Sequence, residues 1–414
     1  MTHKWKRWVA PGAALTAAAV LAACSSSTSS SSSSSPSTST GAPASSSSSA
    51  TASAASSTAA GVAKAQQMVT QLEATTSSYP VPTASIPGVS ALKGKTVYYV
   101  PLVSFIPGFV VTAETMKVAL AKVGMNLQVC NGQGQPSAVA ACVQQATGAG
   151  AAGIITDAIP YGMAENALNA AKAKGIPIII TDQIPPSGSA ANDDSVTYVP
   201  GVVDQPSQIA WWIIASSGGK ANAILAQESD SPSSIAYVQD SLSIYKQYCP
   251  DCTVTVKSIT ATTNSQLASD TSSNLLSNPN ATYYYTEFED SLDPTVQGIQ
   301  QSNKSSVALS VAGGTVDGLG RLKSGAVVKA VVTVDQAYAG WALTDEILRM
   351  ATKAAPVTET FPSRLFTSDN IASVQVTAAA QSSGAWFGDT SYQSDFEKLW
   401  GVLSAGGRPP CAPR

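Results

Sequence analysis

The chain has 414 residues, 44% of them apolar, and a net charge of −3, which leaves room for two or three domains with ordinary cores. That charge offers no basic footprint for nucleic acid and no polybasic membrane patch. The only histidine is His3, in a segment expected to be removed, so the mature chain is expected to lack Ser-His-Asp and Cys-His catalysis and every His-liganded metal site.

Lys4, Lys6 and Arg7 precede a modest apolar run, Val9 to Ala23, too short and alanine-rich to span a bilayer comfortably, and residues 1–23 read as an export signal. The run closes on Leu21-Ala22-Ala23-Cys24, which resembles the bacterial lipobox, whose cysteine is lipid-modified and becomes the new N-terminus. An ordinary secretory signal followed by a chance cysteine is the alternative. Ser25 to Ala60 contains only Ser, Thr, Ala, Gly and Pro, so residues 24–60 are expected to be a lipidated, disordered tether with a reach on the order of 30 to 35 Å. A cell-wall spacer would look the same. Val62 to Glu73 predicts one short helix, Pro80, Pro82 and Pro87-Gly88 break anything longer, and residues 61–92 read as a loosely packed extension.

The organising stretch is Lys93 to Phe109, KGKTVYYVPLVSFIPGF. Thr96 to Val103 is dense in β-branched and aromatic residues, as a parallel strand buried on both faces should be. Phe109, Ala113, Met116, Leu120 and Val123 then recur at helical spacing until Gly124. Further strands are expected at Asn126–Cys130, Gly153–Thr156 and Ile176–Thr181, with helices at Ser137–Ala149 and Tyr161–Lys174. Repeats of about 30 residues have the length of a βαβ unit, and Gly124, Gly150 and Gly175 stand where helix C-caps belong. A second series has strands at Ala221–Gln227, Thr253–Ile259, Thr282–Thr286, Val307–Val311 and Ala326–Val334. Its helices fall near Asp204–Ser217, Ser233–Tyr248, Ser265–Ser277 and Pro294–Gln301. A long helix at Gln336–Lys353 follows, then Phe361–Phe366, and Phe396, Leu399, Trp400 and Leu403 sit at helical spacing near the end. The pattern predicts an α/β chain of two doubly wound parallel sheets flanked by helices.

Several motifs fail. Gly94-Lys95-Thr96 has Val89 where a phosphate loop needs glycine and precedes its strand. Gly132-x-Gly134 runs into Pro136, which argues against a dinucleotide site. Five cysteines lie in the body of an exported chain, so disulfides are allowed. A Cys130–Cys142 bridge could tie a strand-end loop to its helix. The Cys249-Pro250-Asp251-Cys252 pair reads as a small structural bridge or, alternatively, a redox CxxC, although it follows a helix where redox pairs open one. Cys411 is left over.

In open α/β sheets, ligands bind outside the carboxyl ends of the strands. Those ends offer Ser104, Phe105, Phe109, Asp157, Tyr161, Asp182 and Gln183 in the first lobe. The second offers Glu228, Asp230, Ser231, Ser234, Glu287, Phe288, Glu289, Asp290, Gly313 and Gly314, with Asp335 and Gln336 at a crossover. Aromatic faces beside carboxylates and amides suit a polyol; the same Asp and Ser residues also cap helices and make turns. The body's arginines are Arg321, Arg349, Arg364, Arg408 and Arg414, none on a strand-end loop, and no lysine stands there either. An anionic ligand would want a bidentate guanidinium, so the composition points to a neutral or cationic solute.

Taken together, the lipobox, the Ser-rich tether, the KGKTVYYVP opening and the two lobes resemble the type I periplasmic-binding-protein superfamily, in particular the ribose-binding-protein-like lipoproteins of ABC sugar importers, over about Lys93 to Phe366. The resemblance implies two Rossmann-like lobes, 93–202 with 335–360 and 203–334 with 361–405, before a tail at 406–414. Three hinge crossovers are expected near Val199–Asp204, Val334–Gln336 and Thr358–Phe361. It implies no catalysis and no cofactor or metal. It implies a monomer, anchored outside the cytoplasmic membrane through Cys24, that captures a sugar or sugar-like molecule and delivers it to a permease. Residue by residue, Phe105 and Phe109 around Pro107 match the family's first loop and Asp182 its strand-end aspartate. Gln183 replaces the arginine that usually follows, Ser234 to Val238 lacks the expected arginine, and Gly313 replaces a late aspartate. A sensor that presents closed lobes to a signalling receptor is a second reading, and an acid-based hydrolase using Asp157 and Glu287 a third.

Overall fold

The computed structural model describes residues 47–189, 193–202, 204–260, 265–357 and 359–402. Cys24, the signal, the start of the tether, Thr358, Leu403, Cys411 and the tail lie outside the described residues.

The described chain opens with α1 (Ser47–Glu73) and then builds a parallel sheet from β1 (Thr96–Pro101), β2 (Asn126–Val129), β3 (Gly153–Asp157), β4 (Ile178–Thr181) and β5 (Val196–Val199). Strand order is β2-β1-β3-β4-β5, with α2 (Pro107–Lys122), α3 (Pro136–Gly148) and α4 (Glu165–Ala173) as crossovers. From Val97 on, β1 is buried, as a doubly covered strand must be. The expected face of α2 buries Met116, Leu120 and Val123 against lobe 1's core, and Gly124, Gly150 and Gly175 all take the left-handed backbone of a C-cap.

The second sheet contains β6 (Asn222–Glu228), β7 (Thr253–Ile259), β8 (Tyr283–Thr286), β9 (Ala308–Ala312), β10 (Val328–Val334) and β11 (Ser363–Thr367) in the order β11-β10-β9-β8-β6-β7. Only β11 runs antiparallel. The helices are α5 (Gln205–Ser216), α6 (Pro232–Tyr248), α7 (Leu267–Ser277), α8 (Leu292–Gln301), α9 (Val316–Ser324), α10 (Gln336–Thr352), α11 (Ala378–Ser382) and α12 (Tyr392–Leu399). The expected pattern carries no helix at α9 or α11. Gly318 and Gly320 dilute the periodicity of the first, and the second is only five residues long. Likewise β5, four buried residues ending where a hinge is expected, is a fifth strand.

The expected boundaries change at both ends. The helix α1 starts at Ser47, inside the stretch expected to be tether, and its Ala65, Met68, Val69 and Leu72 pack on the lobe 2 cluster around Trp211, Trp212 and Tyr245. A docked apolar face stabilises a helix that composition alone would leave unfolded. The segment after it is not loose, because Tyr79, Ile86, Val89 and Leu92 join the core of lobe 1. At the other end Tyr392, Phe396 and Trp400, expected in lobe 2, also enter lobe 1's core, and the Trp400 ring stacks on Trp341 at 5.5 Å.

Besides the three crossings at β5–α5, β10–α10 and α10–β11, two more therefore run between the lobes. One follows Glu73 and the other follows Phe387; they meet where Thr76 N–H donates to Phe387 O at 2.6 Å. Arg364 donates to Glu73 O and Trp386 O, which fixes both straps to β11. Both expected disulfides are present, Cys130–Cys142 and Cys249–Cys252, with Cα separations of 5.7 and 5.3 Å.

Candidate functional site

Each sheet has a switch point, the place where crossovers leave toward opposite faces and a crevice opens. In lobe 1 it lies between β1 and β3, in lobe 2 between β6 and β8. The register carries Pro101, Asp157, Thr181 and Val199 side by side to the carboxyl edge of the first sheet. Glu228 closes β6, and Glu287 directly follows β8. The switch points thus bring carboxylates from both lobes to the crevice.

In lobe 1, Asp157 is almost fully buried and accepts from Tyr99 Oη at 2.5 Å. Asp182 has left-handed backbone, φ 59°. Burial raises the pKa of both carboxyls, and the Asp157 charge raises Asp182 further, so the facing pair holds a proton. In lobe 2, Glu287 is 2% exposed and accepts from Ser234 Oγ and, at 2.9 Å, from the Glu228 N–H. Burial pushes it up to about 7 against those two donors. Glu228, raised first by burial and then by Asp290, Asp230 and Glu287, reaches about 8. Among the described residues, no ion pair involves Asp157, Asp182, Glu228 or Glu287.

The lobes touch across this crevice. Ser233 Oγ donates to Gln183 Oε1 at 2.8 Å and accepts from the Ile184 N–H at 3.1 Å, so the described conformation is closed along this edge. Tyr237, one turn further along α6, is buried beside Asp182, Ser233 and Glu287. Asp157 and Asp182 share their proton with one another, and Glu287 Oε1 is buried without a donor. A buried polar atom without a partner is costly, and Glu287 Oε1 at this interlobe seam is one.

Of the residues expected at the site, Asp157, Asp182, Gln183, Ser234 and Glu287 converge here. Ser231 acts at one remove, capping α6 by accepting from the Ser234 N–H. Ser104 and Phe109 border the start of α2, half-buried, while Phe105 is 74% exposed. Phe288 is half-buried beside Glu287, and Gly313 makes a left-handed turn after β9. Tyr161 donates to Asn169 on lobe 1's own surface at 2.7 Å. Asp335 is a correction: it is fully buried in the hinge, accepting from Tyr79 Oη at 2.8 Å and capping α10 through the Tyr338 N–H at 3.0 Å. Its residue type suits a ligand, but the strap from Glu73 to Leu92 reaches it first. Ser233 and Tyr237 are the residues sequence reasoning missed, although Tyr237 lies in the segment searched for an arginine.

A groove of about 680 Å³ flanks the seam, with Pro107 from lobe 1 facing Thr315, Asp317, Arg321 and Gln381 from lobe 2. The seam carboxylates do not line it. Among the described residues, no group of three or more His, Cys, Asp or Glu is arranged to hold a metal ion.

The sequence model described as periplasmic binding protein domain matches residues 97–354. The chain belongs to that family. This periplasmic binding protein is similar to the ABC sugar transporter subunit of Rhodobacter sphaeroides 2.4.1 at 15% identity, covering 67% of this chain and 100% of that one with a TM-score of 0.58. It is similar to the 5-methylthioribose transporter solute binding protein of Thermotoga lettingae at 14% identity, 74% and 98% coverage and a TM-score of 0.62. A third likeness, at 19% identity, 68% and 95% coverage and a TM-score of 0.58, is to the Caulobacter myo-inositol binding protein. No curated protein matches by sequence. The fold is that of type I periplasmic binding proteins, and the family identifies a binding protein, not an enzyme.

Proposed function

We propose that this periplasmic binding protein is an extracytoplasmic lipoprotein, anchored through Cys24, that captures a sugar or sugar-like polyol between its lobes and hands it to an ABC permease. The observation that carries the reading is the seam itself. Strand-end groups from both lobes converge on it, and Glu287 Oε1 is buried there with no partner among the described residues. Two of the solved structures named above hold polyhydroxylated molecules, 5-methylthioribose and myo-inositol, which supports the solute class. Phe105, before α2, and Phe109, in its first turn, would cover a sugar's C–H face. Gln183 and Ser233 close the edge, and Asp157, Asp182, Ser234 and Glu287 meet the hydroxyls. Solute that bridges both lobes shifts the hinge equilibrium toward the closed form, and that form is what a permease distinguishes.

A thermal-unfolding screen of the full-length chain against neutral sugars, polyols, amines and organic acids tests this. A solute present at a hundred times its Kd adds about 2.7 kcal/mol of stability. Stabilisation by a polyhydroxylated compound that is recovered unchanged is expected; stabilisation by acids alone would overturn the solute class.

A further inference from the structure

At the seam Glu287 Oε1 is left without a partner, and the groups near it are oxygens too: the Tyr237 hydroxyl, close to both Glu287 and Asp182, and the proton-sharing Asp157–Asp182 pair. Glu287 and Asp157 are each 2% exposed, and Tyr237 3%. Among the described residues, no positive charge acts on these carboxyls. Glu287 is faced by Glu228 and Ser234 and by the hydroxyls of Tyr285 and Tyr237. The groups facing Asp182 are Asp157, Tyr237 and Tyr99. Asp290 and Asp230 face Glu228. The arginines among the described residues are engaged elsewhere: Arg349 with Asp345, Arg364 with Glu73 and Trp386, Arg321 with Asp317 and Asp293.

A neutral polyol would give Glu287 Oε1 a donor but leave the carboxyl protonated, whereas a carboxylate that ionises in this buried place wants a donor and a countercharge together. An ammonium group gives both, since it is three N–H donors, no acceptor and one positive charge in a single small head. From this, and resting on the solute-binding reading above, we infer that the cargo is an aminated polyol, with its protonated amine held at Glu287 Oε1, near Asp182 and Tyr237. The remaining hydroxyls of such a cargo meet Gln183, Ser233 and Ser234 across the seam. The acid-rich lining is then a selectivity device: it admits the amine and rejects uronic or phosphorylated sugars, whose negative charge would lie against Glu228 and Glu287.

The test is calorimetry on the full-length chain at pH 6.5 with matched pairs that differ only in amine against hydroxyl: glucosamine and glucose, galactosamine and galactose, 1-amino-1-deoxysorbitol and sorbitol. N-acetylglucosamine serves as an uncharged control. The expected result is that at least one amine binds ten-fold or more tightly than its hydroxyl partner and its N-acetyl form. In Glu287→Gln, with its unfolding midpoint checked, that preference falls to within three-fold. If a hydroxyl member binds as well as its amine, the inference is wrong and the solute-binding reading stands. If no member of any pair binds at 10 mM, both are overturned. The wild-type comparison decides the matter even if Glu287→Gln folds poorly.

Discussion

Asp345 in α10 and Glu287 after β8 are both almost fully buried, yet the chain treats them differently. Asp345 accepts from Arg349 at 2.6 Å and from Trp400 Nε1 at 2.7 Å, and Arg349 in turn donates to Ala84 O at 2.8 Å. One ion pair thus joins α10 to both straps. Glu287 has two donors, Ser234 and the Glu228 N–H, one oxygen with none, and no cation. The desolvation cost of a buried carboxylate can be met inside the chain or left to be met by something that binds. The first arrangement builds lobe 1 and its hinge; the second is what a cleft requires.

The hinge side of this comparison is not uniform. Glu346 and Glu359 also surround Arg349, and burial pushes them to about 7 and about 9, with Asp345 adding repulsion to both. One guanidinium answers one of the three acids, and the other two stay neutral by keeping protons.

The largest effect expected is on the pair itself. Arg349→Met strands Asp345 in the core and should cost about 3 to 5 kcal/mol, read as a lower denaturant midpoint with unchanged slope; a loss below about 1 kcal/mol would mean that Asp345 needs no partner. Next comes pH. Glu359 holds its proton to about 9 when folded and releases it near 4.5 when unfolded, so the folded chain binds more protons between those values and stability falls as pH rises through that window. The slope from this one group reaches about 1.4 kcal/mol per pH unit, and Glu359→Gln should flatten it, as unfolding curves at pH 5, 6, 7 and 8 will show. Tyr79→Phe removes one of the bonds to Asp335 and should cost about 1.5 kcal/mol, with no change in solute affinity beyond two-fold. The smallest effect sharpens the contrast: Glu287→Gln resembles the protonated form already present near neutral pH and should move stability by less than about 1 kcal/mol, while solute affinity falls ten-fold or more.

Nearly all of the sheet architecture is legible in the sequence because parallel strands buried on both faces are continuous runs of β-branched and aromatic residues, as in Val97–Val100 and Ile178–Ile180. What escapes is long-range. Nothing local tells Tyr392, Phe396 and Trp400 to cross back to lobe 1, since an amphipathic helix packs equally well on any apolar face. The same ambiguity hides α1, whose Ser- and Ala-rich start looks like linker until Ala65, Met68 and Leu72 find lobe 2. At the site, Asp157, Asp182 and Glu287 are readable as strand-end acids. Ser233 and Tyr237 are not, because they reach the seam only when two lobes meet, and Asp335 misleads because a strap hundreds of residues away in sequence supplies its partner.

On the proposed reading, the cleft carboxylates lack a countercharge that the solute supplies. Proton exchange on binding measures this directly: calorimetry with the tightest-binding amine at pH 6.5, repeated in buffers of different ionisation enthalpy. With Glu287 titrating at about 7, an arriving ammonium should expel close to half a proton or more, and Glu287→Gln should abolish that release. A binding enthalpy independent of buffer, or net proton uptake, would contradict the claim.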